Sequence, residues 1–267
     1  MTEYLQVGTA KKDFEKISPY KDTIEKIMYK KAGMVSEVQI VAGPDIGRHV
    51  RNARDLVATS EIATVEILDN DWHVHEKQAD WLAGDNSNIK GSPSWQAVIP
   101  GNNGGWYREG PIMHIKHGVT VTEMDLFDIT KPKRFIDADL MGAITGHTGE
   151  AIDRALQVQS DFYPQALTHE LKKAMIFTFA MRPVGEEDTL DWIKNLVKHR
   201  LNTKVTFSKK ISMITTPNAR IQTNGFKGPG VHSYEIKSDN NGRLNDMCLF
   251  YYNEIGCPMI TGMVVYR

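Results

Sequence analysis

The chain has 267 residues, 41% of them hydrophobic and 24% charged, the proportions of an ordinary folded protein, which excludes a mostly disordered or fibrous chain. Its formal net charge of -1 hides a segregation along the sequence. The two cysteines, Cys248 and Cys257, are too few for a disulfide framework or a four-thiolate zinc site.

No apolar run approaches the roughly 20 residues of a membrane-spanning helix, and the opening MTEYLQVGTAKKDFEK lacks the apolar core of a signal peptide. No membrane span and an intracellular site are therefore expected. The chain is read as a single globular domain, 1–267, with a candidate subdomain boundary near 200–203.

The first expected element is a helix in SPYKDTIEKIMYKKAG. Ser18 can cap it, Pro19 suits its first turn, Ile24, Ile27 and Met28 form one stripe, and Gly33 stops it. A strand in MVSEVQIV follows, then a helix in IGRHVRNARDLVATS and a strand in IATVEIL.

Residues 84–111 are dominated by turn formers; a loop that long is usually functional or disordered, and its aromatics disfavour disorder. Four of the five tryptophans (Trp72, Trp81, Trp95, Trp106) fall in or just before it, so Trp95, Trp106 and Tyr107 are candidate subunit or ligand contacts.

Alternation in IMHIKHGVTVTEM predicts one strand. Helices are then expected in GEAIDRALQVQ, from Gln165 to Met181, and in EEDTLDWIKNLVKHR, the second of these apolar on most faces beyond Lys173. The remainder reads as strands, with a hairpin at Asn241-Gly242. The expected fold class is α+β, with a helix-rich middle, a β-rich C-terminal part and a mixed or antiparallel sheet.

From Trp192 to Tyr234 there are eight basic residues, Lys194, Lys198, Arg200, Lys204, Lys209, Lys210, Arg220 and Lys227, and no Asp or Glu; without them the chain has 24 bases against 33 acids, a balance of -9. A one-signed basic region suits phosphate contacts, and the aromatics within it suit base stacking. Helix-dipole placement of Lys198 and Arg200 is the competing account, as is attraction to the acid-rich remainder of a second copy.

His73 and His75 would share one side of an extended segment, with His114 as a third ligand, a pattern that suits zinc or another divalent metal. Asp137 and Asp139 form a DxD pair that could hold magnesium. Gly142, Gly146 and Gly149 lead into a helix without a dinucleotide or phosphate-loop motif. No nucleophile motif or kinase set is present.

With no complete catalytic constellation, these features predict a non-enzymatic, self-associating structural or binding protein. It would be a homo-oligomer that contacts RNA or DNA through the basic region, in the manner of a viral or phage coat, nucleo- or matrix-like virion protein, and would need no cofactor. The alternatives are a metal-dependent enzyme built on His73 and His75, and a protein–protein adaptor with a basic docking face.

Overall fold

The computed structural model describes residues 19–33, 37–41, 64–70, 106–109, 112–115, 119–140, 142–163, 172–182, 184–210, 214–216, 219–221, 231–254 and 257–267. They build one large sheet with helices on both faces. The elements in chain order are helix α1 (Pro19–Ala32), strands β1 (Glu37–Val41), β2 (Thr64–Asp69), β3 (Trp106–Glu109), β4 (Ile112–Ile115), β5 (Val119–Glu123) and β6 (Phe135–Ala138), helix α2 (His147–Phe162), β7 (Lys173–Ala180), helix α3 (Glu186–Leu201), then β8 (Val205–Lys210), β9 (Ile214–Thr216), β10 (Ala219–Ile221), β11 (His232–Ser238), β12 (Leu244–Glu254) and β13 (Cys257–Tyr266).

Eleven strands form the sheet in the order β3-β4-β5-β2-β1-β6-β7-β13-β12-β11-β8, and β9 and β10 pair separately. The centre is parallel: β5 with β2, β2 with β1, β1 with β6 and β6 with β7. Both flanks are antiparallel, through β3, β4 and β5 on one side and β7, β13, β12, β11 and β8 on the other. The parallel strands are covered on both faces, so their sequences read as nearly continuous apolar runs. One core lies on the α1 side and includes Ile24, Met28, Val38, Ile40, Val65 and Ile176. The other lies under α2 and α3 and includes Ile136, Ile152, Leu156, Phe177, Ile193 and Leu249.

Helix α1 turns Lys21, Ile24, Glu25, Met28, Tyr29 and Ala32 to the sheet, and all six are buried. That spacing is one helical face, and it carries two charged residues in phase with the apolar ones. Helix α2 is fastened by Gln159, whose amide donates to the carbonyls of Lys133, Arg134 and Ala174 and accepts from the Tyr266 hydroxyl.

The expected α+β class with a helix-rich middle is corrected to an α/β sheet with a parallel centre. Within the segment expected as a helix, Gln165 to Met181, residues 173–180 form β7, every residue of which but the last is buried. KAMIFTFA is apolar on both faces because α1 covers one and α2 the other. A run apolar all round has no period by which to tell a buried strand from a buried helix. The single strand expected in IMHIKHGVTVTEM is two antiparallel strands, β4 and β5.

The helices expected in GEAIDRALQVQ and EEDTLDWIKNLVKHR are present as α2 and α3, and the Asn241-Gly242 hairpin joins β11 to β12. The helix expected in IGRHVRNARDLVATS and most of the 84–111 loop lie outside the described residues. Near 200–203 the chain turns at Asn202, with φ of 50°, from α3 into β8, a strand of the same sheet. Among the described residues no helix is long and apolar enough to cross a membrane.

Candidate functional site

The parallel strands all end on one side of the sheet. From β1 the chain moves one way, to β2 and β5, and then returns to the other side of β1 as β6. In open α/β sheets that reversal leaves a crevice outside the carboxyl ends of the strands, and ligands bind there. Here the crevice lies between β1 and β6. The Asp139 amide donates to the Val41 carbonyl at 3.1 Å, and the Met124 amide donates to the Asp69 carbonyl at 3.0 Å. These two bonds place Asp69, at the end of β2, and Asp139, just beyond β6, on the rim. The sequence that continues from β1, AGPDIG, lies outside the described residues.

A second carboxylate group joins three connections on the same rim. Asp125, which follows β5, accepts from the Asn70 amide at 2.9 Å and from the Phe127 backbone at 2.8 Å, and lies 3.0 Å from His147 Nε2 at the start of α2. The Phe127 ring is 40% exposed and lies 5.8 Å from the His147 ring. A flat, solvent-facing ring beside fixed polar groups is a surface on which a planar group can rest.

Beneath α1, the α1-facing side of the same end of the sheet holds a buried polar cluster. Lys21 Nζ bridges both Asp139 oxygens at 3.1 and 3.2 Å. The Tyr29 hydroxyl donates to Asp137 at 2.8 Å. Thr178 on β7 and Thr261 on β13 share a hydrogen bond of 3.0 Å, and Tyr252 reaches Thr261 at the same distance. Lys21, Glu25, Asp137, Asp139, Thr178 and Thr261, with Ile24 and Ile176, line a cavity of about 10 Å³, room for one water-sized group. Burying a lysine and three carboxyl groups together is costly, and such clusters gather where chemistry is done.

The residues singled out from the sequence fall in several places. Lys194 pairs with Asp191, Arg200 with Asp153 on α2, and Lys209 with Glu186. Lys198 and Lys204 are exposed, on α3 and before β8. Lys210 and Arg220 belong to β8 and β10, and Lys227 lies outside the described residues. Trp106 and Tyr107 are in β3, opposite Ile115 and His114 of β4. Trp95, His73 and His75 lie outside the described residues. Among the described residues no group of three or more His, Cys, Asp or Glu is placed to hold a metal ion.

Of the DxD pair, the structure puts Asp137 and Asp139 in the buried cluster, with Lys21, Tyr29, Thr178 and Thr261, none of which stood out in the sequence. The available signal was Lys21 and Glu25 in phase with Ile24 and Met28, a charge on a face that must be buried.

No protein-family model matches the sequence, and no curated protein matches it by sequence. Solved structures similar to the chain include a protein described as an rRNA-methylase from Clostridium thermocellum, at 10% identity over 94% of this chain and 100% of that one with a TM-score of 0.45. A precorrin-6y C5,15-methyltransferase from Geobacter metallireducens GS-15 is 12% identical over 97% of this chain and 94% of that one, with a TM-score of 0.39. Magnesium protoporphyrin IX methyltransferase from Synechocystis PCC 6803 with bound SAH is 8% identical over 93% and 81%, with a TM-score of 0.40. Likeness at this level carries no argument about this chain.

The sheet corrects the expectation of a cofactor-free coat or virion protein. In open parallel sheets covered on both faces the reversal point is where ligands bind, whereas the basic region pairs Lys194, Arg200 and Lys209 with acids of its own surface. The expectation rested on charge counted from Trp192 onward, which leaves out Asp191 just before it and the acids that the fold brings to Arg200 from α2 and to Lys209 from the start of α3.

Proposed function

We propose that this chain is an enzyme that binds S-adenosylmethionine in the crevice between β1 and β6 and transfers its methyl group to an acceptor. The reversal of strand order between β1 and β6 carries this reading, because it sets where a cofactor binds.

Two further features select the cofactor. A dinucleotide fold repeats its parallel mononucleotide half on both sides of the reversal. Here β1, β2 and β5 make one complete half, while on the other side β13 runs antiparallel to β7, which suits a cofactor with a single nucleoside. The rim is acidic, with the carboxylates of Asp69 and Asp125, while that of Asp139 turns away to Lys21 beneath α1. Carboxylates repel phosphates but accept hydrogen bonds from a ribose diol and attract a cation, and S-adenosylmethionine has both a ribose and a positive sulfur. Asp69, at the end of the second parallel strand, occupies the place from which an acid reaches the ribose hydroxyls in such folds. When bound, the cofactor supplies an electrophilic methyl group on that sulfur.

Calorimetric titration of the full chain with S-adenosylhomocysteine, NAD and ATP tests the reading. Binding of S-adenosylhomocysteine alone, weakened about tenfold or more by Asp69→Ala through loss of one to two hydrogen bonds to the ribose, is the expected result. Binding of NAD or ATP with no uptake of S-adenosylhomocysteine would overturn it.

A further inference from the structure

We propose that Lys21 and Asp139 activate the acceptor, and that the acceptor is a hydroxyl group delivered into the small cavity under α1. The inference rests on the methyl-transfer reading of the same crevice. Asp139 is the link between the two places: its backbone amide closes the β1–β6 rim on Val41, while its carboxylate turns under α1 to Lys21. A group in the cavity therefore stands next to the cofactor crevice without sharing its space.

The size and chemistry of the cavity select the acceptor. At about 10 Å³ it admits one water-sized tip and no ring or chain. Its walls offer a carboxylate that can take a proton and, about 3 Å away, an ammonium that can hold a negative charge. An alcohol or phenol uses both. The acceptor O–H bond breaks with its proton passing to the Asp139 carboxylate, and the charge that develops on oxygen is held by Lys21. The oxygen lone pair then forms the new O–C bond to the methyl group as the C–S bond breaks, its electron pair remaining on sulfur as a neutral thioether. A neutral amine such as aniline attacks through its own lone pair without first losing a proton, develops no negative charge, and so gains nothing from Lys21. Tyr29 on Asp137 and the Thr178–Thr261–Tyr252 chain hold the walls in place, and act as positioning residues.

The test uses the full chain, wild type and the Lys21→Met/Asp139→Asn double variant. The double variant replaces a buried ion pair by neutral groups of similar size and so avoids stranding one charge; Lys21→Arg serves as the conservative control. Binding of S-adenosylhomocysteine is measured first. 4-Nitrophenol is then titrated with pH in the presence of S-adenosylhomocysteine, and its phenolate absorbance reads its ionisation in the site without any turnover. Finally, methyl-labelled S-adenosylmethionine is offered with phenol or with aniline.

The expected result is a phenolate band that appears at lower pH in the complex than in free solution, with label passing to phenol and not to aniline. In the double variant the band shift vanishes and transfer falls about a hundredfold or more, the scale of general acid–base catalysis, while S-adenosylhomocysteine binding stays within about threefold; Lys21→Arg restores part of the band shift. The proposal is overturned if S-adenosylhomocysteine binds but the band does not move, if aniline is labelled in place of phenol, or if the double variant transfers as fast as the wild type. If the wild type does not bind S-adenosylhomocysteine, the methyl-transfer reading falls, and this proposal with it.

Discussion

His232 shows how one buried ring can set the acid limit of the fold. It lies at the start of β11, 4% exposed, stacked on Tyr251 with ring centroids 4.4 Å apart. Burial, then the nearby Lys209 charge, push its imidazole down to about 4, with Glu186 opposing. Above about pH 6.5 the ring is neutral whether the chain is folded or not, and costs nothing. As the pH falls from there towards 4, the unfolded chain takes up a proton that the folded one refuses, and stability drops by on the order of 2 kcal/mol. Urea unfolding at pH 7.5 and pH 4.5 measures the drop. The His232→Phe variant, which keeps the stack and cannot titrate, should lose less between the two conditions by about that amount; equal losses would show that His232 does not control the slope. None of this could be read from the residues around His232, because Tyr251, Lys209 and Glu186 reach it from three other elements.

At the scale of the element, β7 shows why an apolar run can mislead. Like its neighbour β13, which was readable as a strand, it is buried, and the fit of the two is tight at Gly262. A Cβ there would come within 2.5 Å of the Phe177 ring and 2.8 Å of Leu249 Cδ1, so the glycine is needed for close approach of β13 to the Phe177 side chain on β7. Gly262→Ala should cost about 1–3 kcal/mol by overpacking, seen as a lower denaturation midpoint at unchanged slope. Adding Phe177→Leu should recover part of the loss, and a strictly additive pair would mean that the two residues do not press on each other. Helix α1 was the reverse case: its apolar stripe and its ends were readable, and the charged residues on the stripe were the only hint that it roofs a polar cavity. Helices α2 and α3 were readable as well, since each has a clean buried face and α3 has acids at its start and bases at its end.

For the whole molecule, the proposed cofactor should act as a folding ligand. A compound that binds only the folded chain stabilises it by about 2.7 kcal/mol at a hundred times its Kd. S-adenosylhomocysteine should therefore raise the melting temperature of the full chain by several degrees, and NAD or ATP at the same concentration should not. A larger shift with NAD than with S-adenosylhomocysteine would sink the single-nucleoside reading.

Local periodicity was enough to determine α1, α2, α3, much of β1 and β2, and the β11–β12 hairpin, because each depends on side chains a few residues apart. The parallel order of β1, β2, β5, β6 and β7, the strand form of residues 173–180 and the crevice between β1 and β6 depend on partners up to a hundred or more residues away. The Lys21–Asp139 pair, 118 residues apart, has the same origin, as do the acids that answer Arg200 and Lys209. A charge or an apolar run has one sign or one hydropathy wherever it stands, but whether it is neutralised, buried or aimed at a ligand is set by what the fold brings against it.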